Sequence, residues 1–355
     1  MAARLPHVNV AVIGLGMGWA HLDGYTKHPD CTVAAICDLS KERLGRVGDH
    51  FKIPASRRYA SVEALLAAAK DLKLHAASVV LPNAYHEPVT IQVLRAGLHV
   101  LCEKPMAMNA AQARRMIAAA RKARRTIGIN LSFRFTPQSR ALKDIVDSGR
   151  LGEVYYAHTR WLRQRGLPGL GGWFTTKKLS GGGPVIDLGV HRMDLAMWLM
   201  GSPQPVAVSA ATYDRLGTRI ARQEKKAFDV EDIGVALVRF EGGATLTLEA
   251  SWAGFPSKGE DMVTEIFGSR GGIVQRNLGE GYDFEARVYS EEGGSLVETL
   301  VKRRLAPAPS AYAEFVDALR EGRPPLATAE DGLRVQQVLD AIYKSAALGK
   351  EVRIQ

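Results

Sequence analysis

The stretch Val8-Asn-Val-Ala-Val-Ile-Gly14-Leu-Gly16-Met-Gly18-Trp19 decides how the rest of the chain is read. Six nearly unbroken apolar residues ending at a glycine suit a strand buried on both faces, the habit of parallel sheets. A glycine-spaced turn then opens a helix-like segment through His21 and Tyr25. Gly14 permits the tight turn, and Gly16 lets the backbone approach a pyrophosphate whose charge meets the helix N-terminus. Asp38 follows 24 residues after Gly14, at the end of a second strand over 32–37. A carboxylate there accepts hydrogen bonds from the adenosine ribose hydroxyls and repels a 2′-phosphate. NAD is therefore the expected cofactor, with NADP as the alternative because Lys41 and Arg43 stand close by. The usual third glycine would fall at Trp19, whereas Gly18 stands one residue early. This departure leaves close helix–strand packing unexplained at that point.

Further along, strands over 76–81, 99–102 and 126–129 alternate with helices around 40–48, 61–70, 86–96 and 109–124. Such alternation is the signature of an α/β domain with a doubly wound parallel sheet. From about residue 130 the pattern changes. A helix over 138–148 and a strand over 153–161 lead into a glycine-rich loop, 166–183, and a helix over 184–200. Strand patterns then dominate: 206–213, 230–240, 244–252, 262–268, 271–276 and 284–290, with Glu241-Gly242-Gly243 marking a hairpin. Helices near 310–320 and 329–347 close the chain. The expected division is a dinucleotide-binding Rossmann domain over 1–127 and an α+β domain over 128–355.

Composition narrows the function classes. Of 355 residues, 46% are apolar and 24% charged, and no apolar run is long enough to cross a membrane. Met-Ala-Ala-Arg-Leu-Pro-His leads straight into the first strand without the pattern of a secretory signal. Cys31, Cys37 and Cys102 lie in apolar surroundings with neither a disulfide framework nor metal-ligand spacing, which suits a cytoplasmic enzyme with reduced core thiols. The net charge of +10 raises nucleic acid as a partner. Its densest cluster, Arg114, Arg115, Arg121, Lys122, Arg124 and Arg125, lies opposite an apolar helix face of Ala113, Met116, Ile117 and Ala120. No aromatic residues interleave for base stacking, so a solvated helix face is expected, with no nucleic-acid and no membrane partner.

Two segments carry acid–base chemistry. Glu103-Lys104-Pro105 ends an apolar strand with a lysine whose place before proline favours extended backbone. Asp187-Leu-Gly-Val-His191-Arg-Met-Asp194 sets two carboxylates and an imidazole at i, i+4 and i+7, on one face of a regular helix. His191 suits proton transfer near neutral pH, Asp187 can fix its tautomer, and Lys104 can stabilise a developing alkoxide. Asp194 reads equally well as a substrate contact or as an ion pair to a nearby arginine. No second histidine or cysteine stands within ligand spacing, so no metal is expected. Between these segments, Trp161, Arg163, Arg165, Trp173, Lys177 and Lys178 give the loop 160–178 the aromatic faces and basic groups that bind sugars and their acids.

In this order the motifs resemble the glucose–fructose oxidoreductase/inositol dehydrogenase (Gfo/Idh/MocA) family. The matching residues are Gly14-Leu-Gly-Met-Gly-Trp-Ala-His21, Asp38, Pro82-Asn83-Ala-Tyr-His86, Glu103-Lys104-Pro105, Gly181-Gly-Gly183, Asp187 through Asp194, and Glu330-Asp-Gly-Leu-Arg334. The resemblance implies an NAD(P)-dependent oxidoreductase for a sugar, polyol or related hydroxyl compound. It further implies a second domain with an open, mostly antiparallel sheet, one face of which serves a homo-oligomer, dimer or tetramer. By position, Lys104, Asp187 and His191 would be catalytic. Gly14, Gly16, Met17, Asp38, Pro82, Asn83, His86, Glu103, Lys104 and Asn130 would touch the cofactor. Lys104, Trp161, Arg163, Trp173, Asp187 and His191 would face the substrate. Two other functions fit the same letters: a glycosidase using transient oxidation by tightly held NAD, and a non-catalytic dinucleotide-binding sugar sensor.

Overall fold

A computed structural model describes residues 5–302 and 309–354. The chain divides into two compact units, Met1–Leu131 with Pro309–Leu333, and Ser132–Ala308 with Arg334–Gln355.

The first unit is built on six parallel strands among the described residues: β1 (Val8–Ile13), β2 (Cys31–Cys37), β3 (Arg58–Tyr59), β4 (Ala76–Val79), β5 (His99–Cys102) and β6 (Ile127–Ile129). Their order is β3-β2-β1-β4-β5-β6, so the winding direction reverses between β1 and β4. Alternate residues of β1 feed opposite faces, as the pleat requires. Ala11 and Ile13 join one core with Val79, Val93, Leu94 and Met116. Val8, Val10 and Val12 join the other with Leu22, Tyr25, Val47 and Phe315. Phe315, Val316 and Leu319 of the helix Ala311–Glu321 fill this second core, and Thr328 bridges to Gly128 of β6. This is why the segment Pro309–Leu333 belongs to the first unit, where the sequence pattern assigned everything after 127 to the second.

The basic helix Ala110–Ala123 buries Ala113, Met116, Ile117 and Ala120 against the first core, while Arg115 pairs with Glu87 and Arg121 with Glu330 at its outer side. Cys31, Cys37 and Cys102 are buried free thiols, and burial pushes Cys31 and Cys37 up to about 12.

The second unit carries nine strands among the described residues. They are β7 (Val154–Arg163), β8 (Pro205–Tyr213), β9 (Ile233–Phe240), β10 (Thr245–Ser251), β11 (Glu260–Gly268), β12 (Gly271–Asn277), β13 (Phe284–Glu292), β14 (Ser295–Leu300) and β15 (Val352–Arg353). The order is β14-β13-β12-β11-β7-β10-β9-β8-β15, an open sheet in which only β7 and β10 run parallel. The hairpin at Glu241–Gly243 joins β9 to β10 as its glycines indicate. The helix Arg215–Glu224 and the strands β14 and β15 have no counterpart in the sequence reading. Only Gly217 and Ala221 of that helix are buried, and β14 is largely exposed. No helix among the described residues is long and apolar enough to cross a membrane.

Candidate active site

In the first unit, the residues singled out as cofactor contacts gather at the C-terminal ends of the parallel strands, where ligands bind in open α/β sheets. Gly14 turns sharply after β1 with φ +92°, and a Cβ there would lie 2.0 Å from the Val80 carbonyl oxygen. Gly16 is exposed, with no neighbouring atom within 4 Å of a notional Cβ, so its backbone is open to a ligand. Met17 caps the helix Gly18–Thr26 and is exposed beside it. Gly18, not residue 19, packs against β1: a Cβ would stand 3.1 Å from Val12 Cγ1. Trp19 turns away, its ring 4.4 Å from His50 and 4.9 Å from Phe51. The irregular glycine spacing thus keeps the close helix–strand contact and shifts it by one residue.

Asp38, at the end of β2, is buried and already engaged. Its Oδ2 accepts from the Leu15 N–H at 2.8 Å and from Arg43 at 3.0 Å, while Oδ1 accepts from Ser40 N–H at 2.8 Å. Pro82 precedes a short helical turn that holds Asn83, buried. His86 is fully buried with Nδ1 2.8 Å from the Pro105 carbonyl and Nε2 2.8 Å from that of Leu81. Both ring nitrogens face backbone carbonyls, and the one that carries the proton donates, so His86 sits between the turn after β4 and the loop after β5. Burial holds its imidazole below the usual range, partly offset by those two carbonyls.

After β5, Glu103 Oε1 accepts from His21 Nε2 at 2.7 Å and from Asn130 Nδ2 at 2.6 Å, and Oε2 from the Lys104 N–H at 3.2 Å. Burial opposes the charged form. The hydrogen bonds from His21 and Asn130 and the charge of Lys104 outweigh it and hold the carboxyl down at about 2. The Lys104–Pro105 peptide bond is cis. Asn130 is buried at the end of β6, and its Oδ1 has no hydrogen-bond partner among the described residues.

In the second unit, the acid–histidine segment is not one regular helix. A π-helical turn over Val185–Gly189 precedes the α-helix Val190–Leu199. The wider turn rotates Asp187 away from the position that regular spacing gives it relative to His191. Asp187 Oδ2 accepts from the indole of the fully buried Trp252 at 2.9 Å. His191 is half-buried, its ring 5.2 Å from Phe133 and 6.0 Å from Trp161. Asp194 is buried in a two-pronged pair with Arg134, Nε to Oδ2 at 2.9 Å and a terminal nitrogen to Oδ1 at 2.6 Å. Of its two sequence readings, the ion pair is the one found.

The glycines before this segment have a steric reason. A Cβ on Gly183 would meet the Glu231 carbonyl oxygen at 2.1 Å, and one on Gly182 the Tyr343 hydroxyl at 2.0 Å. The Glu231 carboxylate accepts from Gly183 N–H at 2.8 Å, Val185 N–H at 3.2 Å and the Tyr343 hydroxyl at 2.9 Å. It caps the π turn, although burial pushes its carboxyl upward.

Among the loop residues, Trp161 is buried and donates from Nε1 to Glu260 at 2.7 Å. Arg163 binds the same Glu260 oxygen at 2.6 Å and lies over the Trp161 ring at 5.1 Å. Trp173 stacks on Phe174 at 3.7 Å, and Arg165 lies over Phe255 at 4.7 Å. Lys177 and Lys178 are exposed. The structure therefore brings Trp161 beside His191 and Arg163 over the Trp161 ring, and leaves Lys104 in the first unit. Sequence reasoning missed Tyr282, Trp252 and Glu260, which surround or orient these side chains, while Phe133 lies in the segment Asn130-Leu-Ser-Phe-Arg-Phe135 that the resemblance places at the cleft. Tyr282 carried one usable signal, an exposed aromatic in the loop Gly279-Glu-Gly-Tyr282. Among the described residues no group of three or more histidines, cysteines and carboxylates is placed to hold a metal ion.

Comparison with known proteins identifies the family. Residues 8–131 match "Oxidoreductase family, NAD-binding Rossmann fold", and residues 143–354 match "Oxidoreductase family, C-terminal alpha/beta domain". D-glucoside 3-dehydrogenase of Escherichia coli is 32% identical over 358 residues, covering 98% of this chain and 97% of that protein. The aldose-aldose oxidoreductase of Caulobacter crescentus, solved with glycerol, superposes with a TM-score of 0.84 at 26% identity, covering 98% of this chain and 100% of the other. GenD2 of gentamicin A biosynthesis, solved with NAD, superposes at 0.79 with 30% identity, covering 100% and 98%. The chain belongs to the Gfo/Idh/MocA oxidoreductase family, with the NAD-binding fold and the C-terminal α/β domain of that family both present.

Proposed function

We propose that this protein transfers a hydride between NAD and a secondary hydroxyl or ketone of a sugar, glycoside or polyol, with His191 as acid/base assisted by Lys104 and Asp187. The observation that carries this reading is the half-buried His191 imidazole. It is flanked by Phe133 and Trp161 and follows a π turn whose Asp187 accepts from the Trp252 indole, in a chain whose first unit is an NAD-binding fold. The residues fit NAD: Gly16 is open to a pyrophosphate, Asp38 suits ribose hydroxyls, and the orphaned Asn130 Oδ1 is an acceptor for an amide N–H. When bound, the nicotinamide accepts or returns the hydride. His191 takes the hydroxyl proton in oxidation and returns it in reduction, while Lys104 stabilises charge on the reacting oxygen. The aromatic rings suit the apolar faces of a sugar. The full-length likeness to a D-glucoside 3-dehydrogenase supports a pyranoside as the first substrate to test.

The test is the nicotinamide absorbance change across a panel of glucosides, free aldoses, inositols, anhydro-sugars and sugar acids, with NAD and NADP in parallel. Reduction of NAD by at least one member supports the reading. Aglycone release with no net nicotinamide change points to a glycosidase instead, and binding without turnover to a sensor.

Cofactor choice follows from Asp38. Its carboxylate repels a 2′-phosphate and also occupies Arg43. Asp38→Ser removes the repulsion and releases that guanidinium for a phosphate. The kcat/KM ratio of NADP to NAD is expected to rise by roughly 10–100-fold, the worth of one charge-assisted contact. An unchanged ratio in steady-state kinetics contradicts the assignment of Asp38 to the ribose.

A further inference from the structure

We propose that His21 is a positioning residue that fixes Lys104 through Glu103, an inference that rests on the role proposed above for Lys104. His21 is fully buried on the helix that the glycine turn opens. Its Nε2 meets Glu103 Oε1 at 2.7 Å and its Nδ1 meets Ser78 Oγ at 3.0 Å, and Ser78 Oγ lies 2.7 Å from the Tyr25 hydroxyl. On the other side, Asn130 donates to the same Glu103 oxygen, and the Tyr312 ring lies tilted against His21 with centroids 4.6 Å apart. Gly24 makes room for that ring, since a Cβ would lie 2.2 Å from Tyr312 Cδ2. One carboxylate thus ties together the helix Gly18–Thr26, the ends of β5 and β6, and the helix Ala311–Glu321.

The order Glu103–His21–Ser78 has the composition of a nucleophilic triad, but its surroundings forbid that use. Ser78 and Tyr25 have no exposed surface, so no substrate reaches the hydroxyl. The chain of hydrogen bonds ends at Tyr25, which has no exposed surface through which protons could leave. Every donor is satisfied when Tyr25 donates to Ser78, Ser78 to Nδ1, and Nε2–H to Glu103. In that state all protons point toward the carboxylate, and the carboxylate in turn accepts the Lys104 N–H. A largely buried carboxylate stripped of these donors would favour its neutral form and release that backbone. His21 therefore couples the helix after the dinucleotide turn to the strand end that carries Lys104.

The discriminating variants are His21→Gln and His21→Leu. Glutamine has a donor and an acceptor and does not ionise, so it can replace a brace but not a proton relay. His21→Gln is expected to keep kcat within about threefold of the parent, and His21→Leu to lose at least about tenfold in kcat. In both, NAD affinity by fluorescence titration and sugar KM should move by less than about threefold. A second readout needs no turnover: the rate of Lys104 modification by trinitrobenzenesulfonate, mapped by mass spectrometry. That rate should match the parent in His21→Gln and differ by at least about threefold in His21→Leu. If His21→Leu fails to fold, as judged by circular dichroism, Asn130→Ala removes the other side-chain donor to Glu103 and is read by the same labelling. Equal loss of kcat in both folded histidine variants would overturn the brace in favour of a relay, and parent-like labelling in His21→Leu or Asn130→Ala would show that Lys104 is not held this way. A parent protein that turns over no sugar defeats the oxidoreductase reading, while the labelling still decides the role of His21.

Discussion

His191→Asn lowers kcat by about 10²–10⁴, the usual worth of a positioned general acid–base group, and leaves NAD affinity unchanged. Asparagine keeps a polar planar group against Phe133 and Trp161, so the pocket wall survives while the titrating atom is lost. The pH profile separates this from a packing effect. In the parent, oxidation needs the neutral imidazole and reduction the protonated one, so the two directions should show opposite limbs. Both limbs should vanish in the variant. Trp252→Phe makes a graded comparison: it removes the indole donor to Asp187 at 2.9 Å and leaves His191 in place. Its expected loss is smaller, about tenfold, the cost of one misoriented hydrogen-bonded group. Full turnover by His191→Asn would sink the acid/base assignment outright.

The elements that sequence revealed are those governed by local rules. The strand Val8–Ile13 announced itself by unbroken apolar residues, Gly14 by the turn it must make, and the Asp38 strand end by its distance from that turn. The place of Lys104 just after a strand end was visible, because the apolar run His99–Cys102 stops there. What stayed hidden depended on partners far along the chain. Gly18 does the work expected at position 19, because a one-residue shift in a helix start is invisible without Val12 opposite it. The π turn at Val185–Gly189 has the composition of an ordinary helix. Its width is set by Glu231 and Tyr343, about 46 and 158 residues beyond Val185. The helix Ala311–Glu321 carries an ordinary amphipathic pattern, and nothing in that pattern tells which of two cores its Phe315 will enter.

Asp194 shows how much such a distant partner is worth. Its pair with Arg134 is almost wholly out of water, with side-chain exposures of 2% and 3%. Two geometrically matched hydrogen bonds hold it, and the guanidinium also lies 5.8 Å from the Trp198 ring. Arg134→Met keeps an unbranched apolar stem and removes the charge, which breaks a buried pair from one side. The second unit should lose about 3–5 kcal/mol, the typical cost of breaking a buried pair from one side. Asp194→Leu alone strands the guanidinium and should cost a similar amount. The double variant Arg134→Met/Asp194→Leu leaves no charge unpaired and should recover most of the loss, because desolvating two ions offsets much of their attraction. Equilibrium unfolding in guanidinium chloride, followed by tryptophan fluorescence, measures all four proteins. Strong loss in each single variant with recovery in the double assigns Asp194 to the scaffold beneath His191. Single variants that unfold like the parent, yet raise the sugar KM, would return Asp194 to the substrate.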